Sequence, residues 1–244
     1  MSAFMPLLEI TNLCKSYPQF KLDNVSFFLE KGKIMGFIGR SGAGKSTTIK
    51  SMLRLVHPES GKVVINGFDI SKNEDEVKNS LGYIIGAQCF YEMKKISTIT
   101  KVTKKFFANW SDSTYSSLTK KFAIDESKRI KDLSAGMKIK YQIALAMSHD
   151  ARLLIFDEPT SSLDPVSRDE LMSLFKEYVS DGERGILFST HITNDLEKCA
   201  DFITYIKNGK IIESCAIEHF HEKYSNIGIS SPTLDDIIVH LEKK

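Results

Sequence analysis

The stretch Gly39-Arg40-Ser41-Gly42-Ala43-Gly44-Lys45-Ser46-Thr47 decides how the chain is read. It satisfies G-x-x-x-x-G-K-[ST], the pattern of a loop that wraps phosphate. The apolar run Ile34-Met35-Gly36-Phe37-Ile38 directly before it supplies the strand that such a loop follows. Gly39, Gly42 and Gly44 free the backbone to curl until successive N–H groups point at phosphate oxygens, and the helix that follows adds the positive end of its dipole. Lys45 is placed to reach β- and γ-phosphates, and the Ser46 hydroxyl to take a Mg²⁺ coordination position. The expected ligand is a nucleoside triphosphate. A glycine-rich turn that matches by coincidence is the alternative, and only other parts of the chain can remove it.

A chain of 244 residues makes one large domain or two small ones, long enough to bury ~70% of the surface it exposes when unfolded. The formal net charge of +2, with both signs interspersed, argues against a dedicated nucleic-acid binder, which shows a basic stripe. Cys14, Cys89, Cys199 and Cys215 are scattered without C-x-x-C spacing and read as reduced thiols of a cytosolic protein. The start, Met1-Ser2-Ala3-Phe4-Met5-Pro6, has neither a basic nor a long apolar segment, and no later run approaches the ~18 apolar residues of a spanning helix. Any role at a membrane is therefore expected to come through a partner.

Outward from the loop, residues 7 to 34 read as short strands. Leu7-Leu8-Glu9-Ile10 and the alternating Val25-Ser26-Phe27-Phe28-Leu29 suit half-buried strands, and Val63-Val64-Ile65 followed by Asn66-Gly67 adds another with a turn dipeptide. An antiparallel sheet leaning on the nucleotide core is the expected result. Helical spacing runs from Thr48 to Val56 and is stopped by His57-Pro58-Glu59-Ser60-Gly61. After the strand Leu81 to Ile85 the character changes: from about 90 to 150 the spacing is helical and lysine-rich, with Phe106, Phe107, Trp110 and Phe122 expected to form a private core. From Leu153 strand and helix alternate again, which predicts a parallel sheet with helices on both faces. Strands are expected at 153–156, 186–189 and 202–206, and helices at 165–179 and 194–199. Asn208-Gly209 then turns the chain into a hairpin return, and Thr233-Leu234-Asp235-Asp236 resembles a capping box before a last short helix.

Four more clusters bear on chemistry. Leu153-Leu154-Ile155-Phe156-Asp157 is an apolar strand ending in a carboxylate; Asp157 is either a Mg²⁺ ligand or an ordinary helix cap. Glu158, one residue on, is well placed to orient an attacking water or else is a plain solvated glutamate. In Leu133-Ser134-Ala135-Gly136-Met137, Ser134 is a natural N-cap, and with Gly136 it makes a helix start that could be offered to a phosphate; alone it is a capped helix. Ser161-Ser162-Leu163-Asp164-Pro165 enters a helix with proline at its first position. His191 stands just past the strand Ile186 to Ser189, where an imidazole reaches a γ-phosphate or does nothing.

Taken together and in this order, the phosphate loop, Leu133 to Met137, Asp157-Glu158-Pro159-Thr160, Ser162-Leu163-Asp164 and His191 resemble the nucleotide-binding subunits of ATP-binding cassette (ABC) transporters. The resemblance covers about residues 7 to 215. It implies an α/β fold: a P-loop NTPase core with a mostly parallel sheet, an antiparallel β subdomain and an inserted α-helical subdomain. Residues 1–244 form one domain, with the core in 1–88 and 151–215, the insert at about 89–150 and a tail at 216–244. It implies ATP and Mg²⁺, with Tyr17 stacked on adenine, Arg40, Ser41, Ala43 and Thr47 lying in the loop that binds phosphate, Lys45 on the phosphates, and Ser46 and Asp157 on the metal. Glu158 is then the catalytic carboxylate and His191 the sensor of the γ-phosphate. Ser134 and Gly136 act on the ATP of a second subunit facing head to tail, and integral membrane permease subunits are the further partners. The implied location is cytoplasmic, on the inner face of the cell membrane.

Two positions depart from the family pattern. Ala135 and Met137 stand where the usual Leu-Ser-Gly-Gly-Gln has glycine and glutamine; a third position needing φ > 0 would cost alanine about 1–2 kcal/mol. Gly86 occupies the place of a glutamine that contacts Mg²⁺, and Gln88, two residues later, is the candidate to replace it. The tail from Thr233 to Ile238, the stretch Phe90-Tyr91-Glu92 and the Asn109-Trp110 region are similar to subunits that serve ABC-2-type exporters, so export is expected. The rivals are a soluble ABC ATPase of ribosomes or DNA, a P-loop GTPase or kinase, and a cassette with a decayed site. No N-K-x-D guanine-reading motif occurs.

Overall fold

In a computed structural model the structure describes residues 5–86 and 91–243. The first half runs β1 (Leu8–Tyr17), β2 (Phe20–Leu29), β3 (Ile34–Ile38), α1 (Lys45–Met52), β4 (Ser60–Ile65), β5 (Phe68–Asp69), α2 (Glu74–Asn79) and β6 (Leu81–Ile85). Then come α3 (Ile96–Thr103), α4 (Asp112–Lys121), α5 (Ala135–Met147), β7 (Leu153–Asp157), α6 (Pro165–Val179), β8 (Gly185–Ser189), α7 (Thr193–Cys199), β9 (Phe202–Lys207), β10 (Lys210–Ala216), α8 (Ile217–Lys223) and α9 (Leu234–Lys243).

Two sheets result. One is antiparallel, in the order β2-β1-β4-β5; the other has the order β10-β9-β3-β8-β7-β6, with β9 through β6 parallel and β10 antiparallel at its edge. The parallel strands are buried on both faces, which explains why β3, β7 and β8 read as unbroken apolar runs rather than alternations. Ile34 and Ile38 of β3, Leu154 and Phe156 of β7, and Ile186 and Phe188 of β8 face a core shared with α5, α6 and α7. The intervening Met35, Phe37, Leu153, Ile155 and Leu187 face a second core against α1 and the antiparallel sheet, where they meet Leu8, Ile10 and Phe27.

The strand-helix order after Leu153 matches the sequence reading closely. Elsewhere the structure corrects it. β1 and β2 are ten-residue strands rather than short ones, because bulges interrupt the alternation without ending the pairing. Asn12 and Asn24 take positive φ there, and the Asn12 N–H donates to Ser26 Oγ at 2.8 Å. Helix α1 starts at Lys45, three residues before the first helical spacing, and ends at Met52, where Arg54 at φ 54° turns the chain away. Helix α8 was not anticipated; Ile217 and Phe220 bury one of its faces. The capping box is formed: Asp236 N–H donates to Thr233 Oγ1 at 3.2 Å, and Thr233 N–H to Asp236 Oδ2 at 3.0 Å.

The aromatic residues expected to make a private core of the insert do not behave as one group. Phe122 is buried and Trp110 packs against the core, but Phe106 is 74% exposed on a single 3-10 turn, and Phe107 stacks on His149 with ring centroids 3.8 Å apart. The core is not private either, since Ile96, Tyr115, Leu118 and Phe122 are continuous with the layer under β7 and β8. Inside it Thr100 Oγ1 lies 2.7 Å from Tyr115 Oη and 3.0 Å from Tyr141 Oη, joining α3, α4 and α5. Burial of the Tyr115 phenol keeps it protonated far above the ordinary range.

One turn ties the edge hairpin to the rest. Asn208 and Gly209 have φ 49° and 76°, as a two-residue turn of primed type requires. Gly209 N–H donates to Ala43 O of the phosphate loop and Gly209 O accepts from Asp23 N–H of β2, both at 2.9 Å. A Cβ on Gly209 would collide with the Lys21 carbonyl oxygen. Gly209→Ala is therefore expected to cost about 1–3 kcal/mol and to lower Tm by several degrees in thermal unfolding; an unchanged Tm would show that this approach is not required.

Candidate active site

The phosphate loop leaves β3 at Ile38 and closes onto α1. Gly42 and Gly44 have φ 81° and 119°, the left-handed half of the map that an L side chain resists, and Gly44 is the N-cap of α1. Phe20 and Leu22 of β2 press on Gly44 so tightly that a Cβ would fall within 2.9 Å of the Phe20 ring. Lys45 Nζ donates to the carbonyls of Gly39 (2.6 Å) and Arg40 (3.3 Å), so its charge is stored on the loop it serves.

Across a cavity of about 800 Å³ stand the groups from the other strand ends. Its wall is made by Arg40 to Gly42 and Gly44 to Thr47 on one side, and by Glu158, Ser161 and His191 on the other. Asp157 is the last residue of β7 and is 8% exposed; its Oδ1 accepts from Ser189 Oγ at 2.6 Å. That same hydroxyl accepts from Glu158 N–H at 2.9 Å, with Ser189 O also 3.2 Å from that N–H. Glu158 sits at φ 55°, a conformation that costs a non-glycine residue about 1–2 kcal/mol and that these bonds hold. The turn aims its carboxylate at His191, with Oε2 2.8 Å from Nδ1. Ser161 Oγ donates to the Glu158 carbonyl at 3.1 Å. Chemically, a carboxylate paired with an imidazole and facing a glycine-rich loop of N–H donors is an arrangement able to orient a water against a bound phosphate.

Lys45, Ser46, Thr47, Arg40, Ser41, Gly42 and Gly44 are thus brought together with Glu158 and His191, as the sequence reading expects. Gly39 and Ala43 shape the loop from behind: Gly39 backs onto the Ile206 carbonyl, and Ala43 is 6% exposed. Tyr17 is not on the wall. It is 43% exposed at the end of β1, paired across the turn with Phe20, and it is Phe20 with Gln19 that lines the cavity. Gln88 lies outside the described residues. Ser134 caps α5 by accepting from Met137 N–H at 3.2 Å and is exposed, yet neither it nor Gly136 touches this cavity. Ala135 lies inside α5 and not in the left-handed region, so the strain feared at that position is absent. At Gly136 a Cβ would meet Ser162 O at 3.0 Å, which places this motif against the segment entering α6. There Asp164 caps α6, and hydrogen bonds from the Ser167 hydroxyl and backbone hold its carboxyl below the usual carboxylate range. Ser189, Gln19 and Phe20 were not singled out from sequence, and Ser161 was read only as part of the turn into α6.

The sequence profile of the ABC transporter family matches residues 22–161, more than half of the chain. The chain belongs to the ABC transporter family. Like its relatives it is an ATP-binding subunit, an ATPase that powers a membrane transporter. The lantibiotic transport ATP-binding protein SrtF of Streptococcus pyogenes is 34% identical over 233 residues, covering 90% of this chain and 96% of that one. The bacitracin transport ATP-binding protein BcrA of Bacillus licheniformis is 31% identical over 229 residues, covering 89% and 72%. Among solved structures, an ATP binding subunit of an ABC transporter superposes with a TM-score of 0.87 at 28% identity, over 97% of this chain and 99% of the other. The fold expected from the motifs is the fold observed.

Ser189 gives a direct handle on this site, because its one hydroxyl orders both carboxylate residues. Ser189→Ala is expected to lower ATP turnover about ten-fold or more, since a bond to a charged group is lost, while ATP affinity changes little. Steady-state kinetics check this; an unaltered kcat would mean that the hydroxyl does not organise the site.

Proposed function

We propose that this ATPase works as half of a head-to-tail pair of cassettes, closing on two ATP molecules to drive export through permease subunits at the inner face of the membrane. The carrying observation is that Ser134 and Gly136 stand off their own chain's cavity, with the capped N-terminus of α5 exposed and oriented by its own hydrogen bond. Such a helix start offers N–H donors to an anion that this chain's own loop does not hold. The second cassette is a copy of this chain or a relative.

The residues fit Mg²⁺ as well as ATP. The Ser46 hydroxyl and the Asp157 carboxylate are hard oxygen donors, and two such ligands suit a cation that keeps water and phosphate oxygens around it. When bound, the ion neutralises charge on the phosphates. Lys45 exchanges the carbonyls of Gly39 and Arg40 for phosphate oxygens, the loop N–H groups hold the remaining ones, and Glu158 holds the attacking water in line. His191 fixes the Glu158 carboxylate and reads the γ-phosphate beside it. Tyr17, one pairing from the cavity wall, offers its exposed ring to the base; stacking of that kind reads a base loosely.

Export is the direction favoured by the relatives named for bacitracin transport and lantibiotic transport, together with the tail beginning at Thr233. Among the described residues no helix is long and apolar enough to cross a membrane.

Two variants test the scheme together. Glu158→Gln with saturating ATP is expected to accumulate a dimer in size-exclusion chromatography, while Lys45→Ala stays monomeric and loses Mg²⁺-dependent turnover. A Glu158→Gln variant that binds ATP yet remains monomeric would count against it.

A further inference from the structure

Helices α6 and α7 both start at the site, and both are tied to Glu158. Its carbonyl is held by Ser161, three residues before the Asp164 cap of α6, and its carboxylate by His191, two residues before α7. One turn into each helix the two are joined again. Arg168 of α6 faces Asp195 of α7, with Nη1 and Oδ1 4.0 Å apart. The Asp195 side chain is 3% exposed and that of Arg168 24%. A closed circuit follows: from Glu158 through Ser161 into α6, across Arg168 to Asp195, and back along α7 through His191 to Glu158.

The link in this circuit is incomplete. Arg168 Nε and Asp195 Oδ2 are both buried without a hydrogen-bond partner among the described residues. A half-buried guanidinium and a buried carboxylate 4.0 Å apart attract one another but have not formed the two-pronged arrangement that guanidinium and carboxylate prefer. A small shift of α6 toward α7 completes it and carries His191 along. Helix α6 also has a cause to shift, since the segment that feeds it bears the Ser162 carbonyl against Gly136 of the motif at the start of α5. A second link between the same helices, Lys198 to Asp169 at 2.7 Å, is exposed and leads nowhere in the site; it is the natural control.

We infer that Arg168 and Asp195 are positioning residues: their ion pair sets how His191 holds the Glu158 carboxylate, and so couples the position of α6 to the rate of ATP hydrolysis. The inference rests on the assignment of Glu158 and His191 made above. Neither residue lines the cavity, so ATP affinity is expected to be set elsewhere, by the phosphate loop.

Asp195→Asn keeps the shape of the side chain and removes the charge. It is expected to lower kcat about ten- to hundred-fold, as misplacement of a catalytic group does, with KM for ATP within about two-fold. Asp195→Glu, which keeps the charge, is expected to restore most of the rate, and Asp169→Asn to leave it unchanged. Should Asp195→Asn fold poorly, Arg168→Lys retains the charge but loses the planar fork and is expected to give an intermediate kcat at normal KM. Glu158→Gln is measured alongside. If it is inactive while Asp195→Asn turns over normally, the positioning role is overturned; if it is itself active, the assignment of Glu158 fails instead. A fall in kcat matched by Asp169→Asn, or shared by KM and Tm, also overturns the inference, because it would mark a merely structural pair.

Discussion

One row of residues across the parallel sheet places everything else. Asp157 pairs with Ser189, and Ser189 with Phe37, so β7, β8 and β3 stop at the same level. Within two residues of that row emerge Gly39 of the phosphate loop, Glu158 and His191. In open parallel sheets ligands collect beyond the carboxyl ends of the strands for this reason: the strands aim their loops at one another there. The row also explains Ser189, whose hydroxyl lies between Asp157 and the Glu158 amide because the register sets Ser189 directly beside Asp157. A slip of one residue in any of the three strands would exchange the faces of their apolar side chains and move the loops apart. Burial on both faces is what fixes that register.

On this base the site divides its labour between rigid and strained parts. The loop is the rigid part, closed by Gly39 and Gly44, where a Cβ would press on Ile206 and on Phe20 and Leu22, and fastened to the β9–β10 turn through Gly209 and Ala43. Glu158 is strained, held at positive φ by bonds to its N–H, its carbonyl and its carboxylate. Such strain persists only where surrounding bonds over-determine it, and those bonds come from two segments, Ser189 with His191 at the end of β8 and Ser161 in the turn that follows Glu158. A change in either segment is felt at the carboxylate. The proposed closure onto a second cassette would therefore act on the Glu158 carboxylate as well as on the nucleotide.

What the sequence made legible was chemistry carried by fixed spacing. The phosphate loop, Asp157-Glu158, Ser134 with Gly136, and His191 each sit within a short segment, and the alternation of strand and helix after Leu153 is regular enough to read directly. What escaped depends on neighbours far along the chain. Ser189 looks like any serine ending a strand until β7 lies beside it, and Arg168 with Asp195 join through helix packing that no short window contains. Phe106 has the composition of a core residue, but a 3-10 turn points it outward. Phe20 and Gln19 line the cavity because the β1–β2 hairpin bends over Gly44, which the alternation within the strands does not reveal. Ala135, expected to be a source of strain, is relaxed because the helix begins with it.

The central claim is that a single chain holds only half of a working site. It is tested most directly by the specific rate of ATP hydrolysis at saturating Mg²⁺ and ATP, measured as the purified subunit is diluted. A half-site predicts that turnover per chain falls as the protein becomes dilute and rises to a plateau as pairs form. A turnover per chain that stays constant down to concentrations where only monomer is present would contradict it.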